Sequence, residues 1–254
     1  MHYRRTSLLR LSFVVLVVLF IQLSLSISPV LGQDITIGTQ VWTSKNLDVS
    51  TFRNGEPIPE AKSKEEWSKA GDNKTAVFCY YEYDSKNGKV YGKLYNWYAV
   101  NDSRGLAPKG YHIPSDAEWT ILTDKLGGED LAGEKLKSKQ GWMKICPDCA
   151  DWTESYRNQV PCHTCKNSRA VKTTEIIKIG GEKYSGFNAV AGGEWDNKYK
   201  FFSGMSRVGH WWSSSEEFNR SDDAWNRSLF YADKKVGRFR YYKSYGFSVR
   251  CMRD

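Results

Sequence analysis

Residues 110–128, GYHIPSDAEWTILTDKLGG, carry the sharpest local instruction in the chain. Pro114 stops whatever precedes it, Ser115 is placed as an N-cap, and Glu118 follows three residues later to close a capping box. Trp119, Leu122 and Leu126 recur at helical spacing, and Gly127–Gly128 ends the run. The stretch predicts an amphipathic helix. DLAGEKLKS (130–138) predicts a second one, with Leu131 and Leu136 inward.

Working outward, DITIGTQVWTSKNLDVSTF (34–52) is β-branched and carries Gly38, so it reads as a strand pair or a strand with a turn. In SKEEWSKAG (63–71), Ser63 and Glu66 have capping-box spacing and Gly71 suits a helix end. AVFCYYEYDSKNGKVYGKLYNWYAV (76–100) gives a strand, a turn at Asn87–Gly88 and a short helix within Leu94 to Val100. Downstream, KTTEIIKI, GFNAV, KFFSG, GHWWSSS, AWNRSLFY, KVGRFRYY and GFSVRCMRD are closely spaced strand-like pieces. Helices first and many strands afterwards predict an α+β domain. Ten tryptophans, 21 glycines and 14% aromatic residues make it loop-rich, with a core of large flat side chains.

The N-terminus, MHYRRTSLLRLSFVVLVVLFIQLSLS, sets the compartment. Arginines precede an apolar run, and Val30 and Gly32 fit the −3 and −1 positions of a cleavage site. Residues 1–32 are expected to be a signal peptide and 33–254 a single secreted or cell-surface domain; if uncleaved, the segment would be the only membrane contact. Its three arginines and no acid lower the net charge from +8 to +5 on removal. That mild bias lacks the dense basic stripe of a nucleic-acid binder.

Residues 146–165, CPDCADWTESYRNQVPCHTC, sit in a polar stretch read as an insertion over about 141–169. Two Cys-x-x-Cys pairs twelve residues apart suit one tetrahedral structural zinc held by Cys146, Cys149, Cys162 and Cys165. Disulfides are the alternative in an oxidising compartment, and redox exchange lacks the helix-start context it needs.

IGTQVW…KNL, YGKLYNWYAV, RGLAPKGYHIPSDAEWTILTDKLGG, SGFNAVAGG, WWSSSEE and GFSVRCMRD, in that order, resemble the Fibrobacter succinogenes major paralogous domain family. More distantly, GYHIPSDAEW and GFSVRC are similar to formylglycine-generating-enzyme-like domains, which share the C-type lectin-like fold. That resemblance implies a compact domain whose first and last strands lie together. With the paired cysteines set aside, it also leads us to expect a Cys79–Cys251 disulfide; two buried free thiols are the alternative.

The resemblance invites two activities, and the residues support neither. The enzymes use paired late cysteines or three histidines; here the late region holds only Cys251, and His112, His163 and His210 are not so grouped. No catalytic residue is therefore assigned, and a metal-dependent or redox enzyme is the rival reading. Calcium-dependent sugar binding needs Glu-Pro-Asn or Gln-Pro-Asp with Trp-Asn-Asp, whereas the chain has Glu56-Pro57-Ile58 and Trp195-Asp196-Asn197, so calcium is unsupported. What remains is a surface of aromatics beside polar groups: Trp195, Asp196, Asn197, Tyr199, Arg220, Trp225, Asn226 and Arg227. Of these, Trp195 is expected at the surface, and Trp225, like Trp211 and Trp212, in the core. The expected function is a non-enzymatic recognition module for an extracellular glycan or surface protein, with a structural envelope component as a further alternative.

Overall fold

A computed structural model describes residues 32–145, 170–171 and 185–254. In chain order the elements are β1 (Asp34–Ile37), β2 (Gln40–Thr43), α1 (Lys64–Asp72), β3 (Phe78–Cys79), α2 (Gly88–Tyr91), β4 (Leu94–Tyr95), α3 (Trp97–Val100), β5 (Tyr111–His112), α4 (Asp116–Lys125) and α5 (Glu129–Leu136). They continue with β6 (Lys144–Ile145), β7 (Ala170–Val171), β8 (Gly192–Asp196), β9 (Phe201–Met205), β10 (Val208–Glu216), β11 (Asp223–Phe230), β12 (Gly237–Tyr242) and β13 (Met252–Arg253). Helices and sheets are both present, helices mainly in the first half and long strands in the second. Among the described residues no helix is long and apolar enough to cross a membrane.

Two sheets organise the chain. One runs β1-β2-β13-β5, so the last strand docks beside the first hairpin through Met252 opposite Trp42. The other runs β12-β11-β10-β8-β9 and is antiparallel except where β10 meets β8. Successive residues of a strand point to opposite faces, and β10 uses this fully. Trp211 enters a cluster with Trp42, Trp119, Phe187 and Leu229, while Trp212 enters another with Tyr95, Trp97, Phe247 and Val249. A third cluster gathers Trp67, Cys79, Tyr81, Leu94 and Trp195.

The helix α4 forms as its sequence dictates. Ser115 Oγ accepts from Glu118 N at 3.3 Å, and Glu118 Oε2 accepts from Ser115 N at 2.8 Å. Trp119 and Leu122 are buried, with Trp119 4.8 Å from Trp42 between ring centroids. Gly127 and Gly128 end the helix at positive φ.

Several expectations are corrected. Leu131 of α5 is exposed, whereas Leu136 faces the core as expected, together with Ala132 one turn before it. Gly71 lies inside α1, where Ser244 stands 3.1 Å from the position a Cβ would take, and Asn73 caps the helix. The turn expected at Asn87–Gly88 is a tight 3-10 turn over Ser85–Asn87 that runs directly into α2. GFNAV forms no strand beyond a single bridge between Ala189 and Lys137.

The expected Cys79–Cys251 bond is absent: both residues are buried free thiols. Cys79 belongs to the cluster around Trp67 and Trp195, and Cys251 to the one around Tyr95 and Phe247. The last strand returns to β2, not to β3, which is why the two sulfurs occupy different clusters. Burial pushes the Cys251 thiol up to about 12 and Cys79 well above its usual range, so neither ionises near neutrality.

Candidate binding face on β11 and β12

Strands β11 and β12 pair in unbroken antiparallel register, which sets Trp225 opposite Arg240 and Arg227 opposite Arg238. These four residues therefore share one face of the sheet. Asp116, the first residue of α4, lies against that face. Its Oδ2 accepts from Arg238 NH2 at 2.9 Å, and Oδ1 accepts from Arg227 NH1. Burial pushes the Asp116 carboxyl up, but the hydrogen bonds from Arg238 and Arg227 outweigh it and hold the group below its usual range. One carboxylate between two guanidiniums leaves a net positive charge.

Arg238 is fixed a second time, its guanidinium carbon 3.5 Å from the Trp225 ring centroid. Arg240 lies 5.8 Å from the same ring and 4.0 Å from a Glu217 oxygen, beyond hydrogen-bonding range. Trp225, Arg238, Phe239, Arg240 and Tyr241 line an open depression of about 480 Å³. The arrangement holds cations and an indole edge in fixed positions at a surface, which suits recognition. Among the described residues no group of His, Cys, Asp and Glu has a metal-holding arrangement.

The expected ligand residues divide between places. Trp195 is buried, with Phe202 4.8 Å and Tyr83 5.9 Å away between ring centroids, because its position on β8 points inward; the surface expectation for it is overturned. Asp196 is spent on the β8–β9 turn, accepting from the backbone of Lys198 and Tyr199. Asn197 donates to Ser244 Oγ, and Tyr199 stands 64% exposed near Phe201. Arg220 is exposed in the β10–β11 turn. Asn226 and Arg227 are buried, so neither is open to a ligand. Trp225, expected in the core, is half-buried at the surface. Strand β10 separates β8 from β11, so the eight residues do not form one site.

Sequence reasoning missed Arg238, Arg240 and Asp116. The signal was GRFRYY, where arginines alternate with aromatics at the period of a strand. His112 binds Asp254 and Glu118 through its two ring nitrogens, tying the C-terminus to α4. His210 is buried against Phe247 and bonded to Ser228, and burial pushes it down to about 3, so it stays neutral. His163, Cys146, Cys149, Cys162 and Cys165 lie outside the described residues, as do residues 1–31.

Fold and face together define an α+β domain in which the terminal strand closes on the first hairpin and a separate sheet presents an arginine-rich edge. The chain belongs to the Fibrobacter succinogenes major domain family, whose profile matches residues 35–253. No curated protein and no solved structure matches it.

Proposed function

We propose that the chain is an exported, non-enzymatic recognition module that binds an extracellular glycan or a surface protein. The observation that carries this reading is Trp225 stacked with the anchored Arg238, with Arg240 beside them, on β11 and β12. Tryptophan and arginine are the residues that most often anchor interfaces, and here Asp116 sets the geometry of Arg238 in advance while the sheet places Arg240 next to it. The apolar run of residues 11–20 behind Arg4, Arg5 and Arg10 supports export, and residues 33–254 are then one secreted or surface domain. A C-type lectin-like arrangement remains our reading of the fold, supported by β13 docking beside β2.

The zinc proposal rests on the donor set and on what flanks it. Strands β6 and β7 pair antiparallel, Lys144 with Val171 and Ile145 with Ala170, so the residues on either side of 146–169 are held together. Cys146, Cys149, Cys162 and Cys165 lie between, and four thiolates would hold zinc in a closed, structural site.

The test is a glycan array probed with residues 33–254, wild type beside Trp225→Ala. Bound glycans that vanish with the variant support the module; binding to no glycan and no surface protein favours a structural envelope component.

A further inference from the structure

Among the described residues β12 lies at the end of its sheet, with β11 on one side only. The bond from Lys243 N to Asp222 O fixes the phase of that ladder. In an antiparallel pair, bonded and non-bonded positions alternate, so residues 237, 239 and 241 bond inward to β11. The N–H and C=O groups of Arg238 and Arg240 then point away from the sheet, and among the described residues neither makes any other backbone hydrogen bond.

The side chains on this edge are sorted by face. Arg238 and Arg240 stand with Trp225 on one side. Phe239 stands on the other, 6.3 Å from Phe230 between ring centroids. A charged edge can simply guard against unwanted pairing. Yet Tyr242 is 55%, Phe239 43% and Phe230 38% exposed along this edge, and a guarded edge does not display three aromatics. A sugar ring would need a bare aromatic platform, and Arg238 already covers one face of the Trp225 indole at 3.5 Å.

Resting on the recognition reading above, we propose that β12 receives an extended peptide strand of a partner protein, in which acidic residues alternate with apolar ones. The acids meet Arg238 and Arg240, the apolar residues meet Phe239 and Phe230, and the backbone completes the ladder. Charge selects against a second copy of β12, because two such edges would set arginines against arginines.

The experiment uses residues 33–254 and a soluble peptide of three Glu-Val repeats flanked by Gly-Ser. Beside it are tested its Lys-Val counterpart, a version with N-methylated backbone amides, and a sulfated oligosaccharide. The Glu-Val peptide should bind and slow amide exchange at Arg238 and Arg240, while the Lys-Val and N-methylated peptides should bind about tenfold more weakly or worse. Arg240→Gln removes the charge and keeps the N–H, whereas Arg240→Pro removes both at a position an edge strand tolerates. Arg240→Pro should weaken binding about tenfold beyond Arg240→Gln. Equal binding of the N-methylated peptide to wild-type protein would overturn the proposal whether or not the proline variant folds. So would binding of the oligosaccharide with no peptide held, in which case the recognition reading stands and strand addition falls. Loss of both ligands overturns strand addition and leaves the broader reading to the array.

Discussion

Asn46 joins three separated pieces of the sequence through one buried side chain. Its Oδ1 accepts from Trp211 Nε1 at 2.8 Å and Arg250 Nε at 3.2 Å; its Nδ2 donates to Tyr91 O at 2.8 Å and Ser248 Oγ at 3.1 Å. KNL, WWSSS and GFSVRC thus meet at a single amide. Arg250, fully buried, extends the junction to the carbonyls of Thr43 and Phe187. These motifs are spent on satisfying buried polar groups, which explains how they identify a family without identifying a ligand. Asn46→Ala should destabilise by about 3 kcal/mol, because it strands buried donors on Trp211 and Arg250. Trp225→Ala, at a half-exposed position, should shift the melting midpoint far less. Similar shifts in thermal melts of the two variants would refute the distinction.

Residue-level reading failed where it depended on which way a strand faces. Trp195 beside Gly192–Gly193 and Trp225 beside Asn226 look alike in sequence, and their environments are the reverse of those expected. Orientation follows from neighbouring elements: Trp195 is fixed inward by Phe202 opposite it on β9 and by Trp67 and Tyr83, both more than a hundred residues earlier in the chain.

At the scale of elements, α4 was fully legible because its instructions are local: a cap, a box and a glycine stop. Ser115→Ala should cost about 1 kcal/mol, measured by urea unfolding. An unchanged midpoint would mean another group caps the helix. On α5 Leu136 faces inward as expected and Leu131 does not, because both are apolar and only the packing of α5 against α4 and the β11–β12 turn, where Val236 N donates to Glu129 O, chooses between them. The same helix start carries a charge effect invisible in sequence. Asp116 has a folded-state pKa below its unfolded value of about 4. Its pairing with Arg227 and Arg238 therefore stabilises fully above that value and is lost as pH falls through the folded pKa. Asp116→Asn should cost about 3 kcal/mol at pH 7, because Arg227 is left buried without its counter-charge. The gap from wild type should close below about pH 4. Unfolding curves at neutral and acid pH check the sign; a gap that widens in acid would contradict it.

For the molecule as a whole, the α+β order and the return of the last strand followed from the sequence and its resemblance, whereas sheet order did not. That β13 lands beside β2 and not beside β3 decided against the Cys79–Cys251 bond. Alkylation of unreduced protein should label both thiols in denaturant and neither in the native state. A bridged peptide containing Cys79 and Cys251 would refute this. If the proposed zinc site is right, elemental analysis of purified residues 33–254 should find one zinc, lost in Cys149→Ser or Cys162→Ser. Metal-free protein without further titratable thiols would assign those four residues to disulfides.

The proposed recognition runs through the β11–β12 face and not through the β8–β9 turn with its exposed Tyr199. The most direct measurement is the affinity for whichever ligand the arrays return, compared among wild type, Trp225→Ala, Arg240→Ala and Tyr199→Ala at matched stability. Trp225→Ala and Arg240→Ala should each lose about tenfold or more, and Tyr199→Ala nothing. Loss confined to Tyr199→Ala, with Trp225→Ala and Arg240→Ala binding as wild type, would contradict it.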